Sequence, residues 1–221
     1  MHPYDILQQC LVVPYFRHGA TADYAAVRTG GSLYLYFEDS NGRGDWKRNL
    51  DFPAKPYRRQ KDGLWFCHRG FLRVWKDLEP VLAPMIADSS VRRIVVAGYS
   101  HGAALAVLCH EYIWFHRPDL RGALEGWGFG CPRVLWGPMP QSLYRRWDTF
   151  ITVRNVPDLV THLPPSLLGY HHVGTMLEIG AKGRYSPTEA HLAENYLHEL
   201  QAAGQKTTYS GKRKKAFGNT T

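Results

Sequence analysis

The chain has 221 residues, 44% hydrophobic and 13% aromatic, a composition that fits one globular domain with a full core and excludes a disordered or fibrous protein. No stretch reaches the roughly 20 apolar residues of a membrane span, and the start MHPYDILQQC lacks a basic segment followed by an apolar one, so a cytoplasmic location is expected, with secretion by another route left open. Five basic residues and no acids follow Gly204, leaving +3 of the formal +8 for residues 1–204, so the charge describes a tail more than a binding face and no specific nucleic-acid partner is predicted.

In chain order, SLYLYFE (Ser32 to Glu38) reads as a strand. The segment from Arg43 to Lys61 carries seven Lys or Arg against Asp45 and Asp51. A helix is expected from near Phe71, bent or ended around Pro80 and Pro84. Arg93 to Tyr99 is short and apolar enough for a central strand of a parallel sheet. After it come a small-residue helix following Ser100, a strand in ALEGWGFG, a helix around PQSLYRRW, strands in TFITVRN and HHVGTMLEI, and a last helix. Ser186, Pro187 and Glu189 supply that last helix with an N-cap, a preset first turn and a capping-box partner. The alternation makes the chain α/β. Residues 1–203 are expected to form one catalytic domain and 204–221, rich in Gly, Ser, Thr and Lys, a flexible basic tail.

Cys10, Cys67, Cys109 and Cys131 show neither CxxC spacing nor disulfide-scaffold density and read as structural thiols. There is no HExxH, so no metal is expected among the histidines.

The chemistry concentrates in Gly98-Tyr99-Ser100-His101-Gly102. This is G-x-S-x-G between a predicted strand and a predicted helix, where a sharp turn lifts a serine hydroxyl above the sheet. Glycines flank the serine because strand and helix pass too close for a Cβ.

Over roughly residues 33–198 the chain resembles the class 3 lipase family, the fungal-lipase-like branch of the α/β-hydrolases. The resemblance rests on six segments in order. FEDSNGRGDWKRNLDF looks like the oxyanion loop, CHRGFLRVW like the His-x-Gly-Phe helix start, and GYSHGAALA like the nucleophile elbow. FGCPRV, RNVPDLVTHLPP and AHLAENYL are similar to the post-strand motif, the aspartate segment and the terminal histidine motif. Glu38-Asp39 replaces the usual Arg-Gly before the oxyanion residue, Tyr99 stands where the family usually has His, His101 where it has Leu, and Ala103 replaces a glycine. The resemblance implies an α/β-hydrolase fold with a mostly parallel central sheet flanked by helices, and a cofactor-free ester hydrolase.

A serine hydroxyl needs a base within hydrogen-bond reach and a third group to fix that base's tautomer. Chain order Ser, Asp, His is the order of α/β-hydrolases, and Ser100, Asp158 and His191 supply it. His191 matches the terminal motif, and His172 is the rival base. His101 adjoins the serine and points elsewhere, serving through its backbone N–H as an oxyanion donor together with Ser40. Trp46, Leu50 and Phe52 form the small apolar patch expected to contact substrate. Gly42, Gly44, Pro53 and Pro56 bar a lid helix, so the basic Arg43 to Lys61 segment is expected to cover an ester or lipid site and to favour short or medium acyl chains or phosphate headgroups at an anionic membrane surface. The other class of function is a catalytically silent hydrolase-fold module binding polyanions through its basic segments. Neither reading fixes an oligomeric state.

Overall fold

A computed structural model describes residues 2–18, 22–38, 53–58 and 64–214. Two antiparallel strands, β1 (Phe16–His18) and β2 (Ala22–Thr29), lead into β3 (Ser32–Phe37). Parallel pairing then runs from β3 to β6 (Arg93–Tyr99), β7 (Leu124–Phe129), β9 (Phe150–Asn155) and β11 (Thr175–Ile179), giving a seven-stranded sheet in the order β1-β2-β3-β6-β7-β9-β11. A second, antiparallel sheet of four strands holds β10 (Tyr170–His171), β8 (Leu135–Trp136), β5 (Leu64–His68) and β4 (Ala54–Arg58) in that order. This is the mostly parallel, helix-flanked sheet of the α/β-hydrolases.

Among the described residues five α-helices accompany the sheets: α1 (Pro3–Val12), α2 (Arg69–Ala87), α3 (His101–His116), the short α4 (Gln141–Tyr144) and α5 (Ala193–Lys214). Strand β6 explains why the core has two halves. Ile94 and Val96 face one apolar cluster with residues of α2 and α3, whereas Val95, Ala97 and Tyr99 face another with residues of α1 and α5. Side chains of a strand alternate faces, so a strand buried on both must be apolar throughout. The parallel register aligns Phe37 with Gly98, and Tyr99 with Phe129, and so brings the carboxyl ends of β3, β6 and β7 to one edge. Ligand sites of open α/β sheets gather along that edge.

Helix α2 corrects one expectation, because it runs without interruption through Pro80 and Pro84. Both prolines sit on its exposed face, one turn apart. A proline frees a carbonyl one turn earlier, and on this exposed face water donates to it in place of the missing N–H. Helix α1 is absent from the sequence-based elements although Pro3 at its first turn and Ile6, Leu7 and Cys10 on its buried side are a helix signal. Helix α5 passes Gly204 without a break, so the boundary expected there from composition does not fall at the end of an element.

Helix α3 is buried from Gly102 to Ile113, and its Glu111 carboxylate lies in the core. The Arg146 guanidinium donates to Glu111 Oε1 at 2.5 Å and lies over the rings of Trp114 and Phe115 at 5.3 and 5.8 Å. A buried ion pair adds little net stability, but removing one partner strands the other charge. Arg146→Met is therefore expected to cost about 3–5 kcal/mol in guanidinium unfolding, and the double variant Arg146→Met with Glu111→Leu to recover most of that loss.

Candidate active site

Ser100 occupies the turn between β6 and α3 with φ 53° and ψ −119°, and is the one non-glycine residue with positive φ among the described residues. Such a conformation costs an L residue about 1–3 kcal/mol and persists only where the surroundings impose it. They do so here by contact. A Cβ on residue 98 would lie 2.2 Å from the Gly102 carbonyl oxygen, and a Cβ on residue 102 would lie 2.1 Å from the carbonyl oxygen of Phe37. The Ser100 N–H donates to Phe129 O at 2.8 Å, tying the turn to the neighbouring strand as well.

Two more elements bring their side chains to this serine. Asp158 follows β9 and is fully buried. His191 closes a one-turn 3-10 segment, Glu189–His191, two residues before α5 begins. The expected capping box forms, with Ser186 N–H donating to Glu189 Oε2 at 3.0 Å and Glu189 N–H to Ser186 Oγ at 3.3 Å. It caps this short turn rather than α5, because the chain is extended at Leu192 before the helix starts. His191 thus stands ahead of the helix and not within its first turns.

The three side chains form a hydrogen-bonded line. Ser100 Oγ and His191 Nε2 are 2.8 Å apart, and His191 Nδ1 and Asp158 Oδ2 are 2.8 Å apart. With the Nδ1–H donating to the carboxylate, Nε2 keeps its lone pair for the serine proton. Two further donors meet the buried carboxylate: the Tyr196 hydroxyl reaches Oδ2 at 2.6 Å and the Val160 N–H reaches Oδ1 at 2.8 Å. Burial first, and the Asp158 charge next, push the Tyr196 hydroxyl well above the usual phenol range, so it stays a donor.

The rival histidine is occupied elsewhere: His172 Nε2 donates to the Thr161 carbonyl at 2.8 Å, and burial lowers its pKa to about 4. The His101 ring sits 5.4 Å from that of Phe71, with its pKa lowered by burial to about 4. Its backbone N–H opens α3, where no carbonyl of the same helix accepts it. Ser40, Trp46, Leu50 and Phe52 lie outside the described residues, as does most of the expected cover segment; its described part, Ala54–Arg58, is no loop but strand β4, paired with β5.

Four residues beside the site had no role in the sequence reading. Gly130, at φ +59°, makes room for the relay: a Cβ there would lie 3.0 Å from His191 Cε1 and 3.4 Å from Asp158 Oδ2. The glycine was visible in FGCPRV, but its reason is a neighbour 61 positions away. Asn155 and Tyr196 were likewise visible only as members of quoted segments, and Tyr99 only as a departure from the family's usual His. Tyr196 accepts from the Asn155 N–H at 3.1 Å.

The family model described as Lipase (class 3) matches residues 34–168. The chain belongs to the class 3 lipase family. Over 158 residues it is 26% identical to a lipase of Rhizomucor miehei, covering 68% of this chain and 43% of that one. A secreted mono- and diacylglycerol lipase of Malassezia globosa is 26% identical over 162 residues, covering 70% of this chain and 51% of that one. The chain therefore spans about half the length of the curated relatives it matches. Among solved structures, a lipase of Rhizopus microsporus var. chinensis superposes with a TM-score of 0.62 at 23% identity over 79% of this chain and 62% of its own. A triacylglycerol lipase described as having a serine protease triad at its catalytic centre superposes with a TM-score of 0.65 at 19% identity, over 81% of this chain and 78% of its own. These likenesses establish the α/β-hydrolase fold.

The cytoplasmic expectation is overturned by the same relatives, since the Malassezia globosa lipase is a secreted protein. That expectation leaned on how the sequence begins, and a beginning carries no such information in a class 3 lipase sequence that spans half of its relatives. Among the described residues no helix is long and apolar enough to cross a membrane.

The buried histidines give this class 3 lipase family member a definite acid response. Burial lowers His101 to about 4, His110 to about 3 and His172 to about 4, against an ordinary 6.5. Between those values the unfolded chain binds protons that the folded chain refuses, so stability is complete above pH 6.5 and falls as the pH drops toward 4. Urea unfolding at a series of pH values should show this decline. His110→Gln, which keeps a donor for Thr149, should flatten it by about one proton, or up to ~1.4 kcal/mol per pH unit.

Proposed function

We propose that the chain is a serine-dependent carboxylic ester hydrolase of the lipase or esterase type. The observation that carries this reading is the Ser100–His191–Asp158 line, with both hydrogen bonds at 2.8 Å and the serine held in a strained turn. A silent binding module has no use for a strained nucleophile joined to a base and a buried acid.

In the reaction Ser100 Oγ attacks the ester carbonyl while His191 Nε2 takes its proton. The Asp158 carboxylate stabilises the imidazolium, and the N–H groups of His101 and Ser40 hold the oxygen on which negative charge develops. His191 returns the proton to the departing alcohol, leaving an acyl group on Ser100. Water activated by the same imidazole then releases the acid and restores the serine. This chemistry calls for no cofactor.

The substrate class is an acyl ester, lipid or of short to medium chain. The relatives named as lipases support an acyl glycerol-type ester, and so do the exposed Leu159 and Leu192, which directly follow Asp158 and His191. The catalytic unit is read as residues 1–203, with Leu200 the last residue in either apolar cluster among the described residues. The basic residues beyond Gly204 are left as a separate segment suited to an anionic lipid surface.

Two kinds of measurement test the reading, the first on the catalytic residues and the second on the substrate. A panel of p-nitrophenyl esters of increasing chain length should be hydrolysed by the wild type, and Ser100→Ala and His191→Ala should each lose about 10³-fold or more, while His172→Ala keeps most of the activity. A fluorophosphonate should label Ser100 stoichiometrically, and labelling that survives Ser100→Ala sinks the assignment. The second measurement follows tributyrin hydrolysis across its solubility limit, beside anionic and zwitterionic phospholipid vesicles. Since Gly42, Gly44 and Pro53 oppose a lid helix in the sequence, the rate should rise smoothly through the limit. A sharp jump on droplet formation, with preference for long-chain triglyceride, shows instead that residues 43–61 act as an interfacial lid.

A further inference from the structure

We propose that Tyr99 is a positioning residue for the general base, fastening the turn that carries His191 to the carboxyl edge of the sheet. The inference rests on the ester-hydrolase reading above.

The turn is short, held by its capping box, by the Ala190 N–H bond to Ser186 O at 2.9 Å and by Asn195 Nδ2 donating to Glu189 O at 2.7 Å. It is a single 3-10 turn, with His191 N–H donating to Thr188 O at 3.3 Å and Leu192 N–H to Glu189 O at 2.9 Å. An isolated turn of this kind has no cooperative ladder to hold it. Two side chains from strand ends fasten it to the sheet: the Tyr99 hydroxyl donates to the His191 carbonyl, and Asn155 Nδ2 donates to the Ala190 carbonyl at 3.0 Å. Adjacent carbonyls of the base-bearing turn are thus bound to the ends of β6 and β9.

Tyr99 adds a second contact. Its ring lies face to face with the His191 imidazole, with centroids 5.4 Å apart and planes inclined by 21°. Tyr196 packs edge-on against the Tyr99 ring at 5.9 Å while its hydroxyl holds Asp158. The aromatic face also favours the imidazolium that forms when His191 takes the serine proton. Because Tyr99 directly precedes Ser100, the end of β6 carries the strained serine and, one residue before it, a contact to its base. The tyrosine that departs from the family's usual histidine is therefore the one that couples the two.

The test compares Tyr99→Phe, which loses the hydroxyl, with Tyr99→Met, which loses hydroxyl and ring. Rates are expressed per active site titrated with fluorophosphonate, so a partly unfolded preparation is still read. Tyr99→Phe should lower kcat about tenfold and Tyr99→Met about 100-fold, with KM within about twofold of wild type. The low-field proton resonance of the His191 Nδ1–H, recorded in wild type and in Ser100→Ala, should broaden in both Tyr99 variants. Wild-type kcat in the variants, a change confined to KM, or an undisturbed resonance overturns the positioning role and leaves the hydrolase reading standing. Absent or Ser100-independent turnover in the wild type overturns that reading, and the role with it.

Discussion

Three backbones meet at one point in this protein, and the site follows from how closely they meet. The carbonyl of Phe37 at the end of β3, the Gly98 position near the end of β6 and the first turn of α3 at Gly102 approach until a single added carbon would lie about 2 Å from a carbonyl oxygen. No side chain fits there, so the chain must turn from strand to helix within one residue. That residue is Ser100, and its left-handed backbone is the consequence. The strain raises the hydroxyl above the sheet edge, at the start of α3.

The rest of the molecule keeps that contact in register. Parallel pairing of β3, β6 and β7 fixes where Phe37, Gly98 and Phe129 lie, and the Ser100 N–H bond to Phe129 O closes the set. Small residues along the start of α3 let the helix lie close to the sheet, and the Glu111–Arg146 pair secures its far half in the core. The second sheet, beginning at β4, leads through β5 into α2, whose first turn is capped by the His68 side chain accepting the Gly70 N–H at 3.1 Å.

Base and acid arrive by a different logic. Neither lies on a regular element: Asp158 sits in the turn after β9 and His191 in a single turn before α5. Their order comes from side chains that reach across, with Asn155 on Ala190, Tyr196 on Asp158 and Tyr99 on His191. Gly130 keeps the space in which imidazole and carboxylate meet. A rigid sheet therefore supplies the nucleophile, and a hydrogen-bonded aromatic lining supplies the relay that acts on it.

The central strands and α3 were legible because their patterns are local. Arg93 to Tyr99 is an apolar run, and a glycine-flanked serine between strand and helix has few other uses. Asp158 and His191 were legible through their motifs and chain order, but the sequence left His172 as a rival, since motif and order carry no distances. The tertiary structure separates them by what each ring meets: a backbone carbonyl for His172, a serine and a carboxylate for His191. Helix α2 differs from its expectation because proline was weighed without knowing which face is wet, and the capping box because a cap does not say how long its turn continues. The sequence by itself determined the place of Ser100, the proposed nucleophile, and the elements around it, through short-range rules of sterics and periodicity. Only the tertiary structure decided the duties of Tyr99, Asn155, Gly130 and Tyr196, because each acts on a group that lies from 28 to 92 positions away along the chain and a few ångströms away in space.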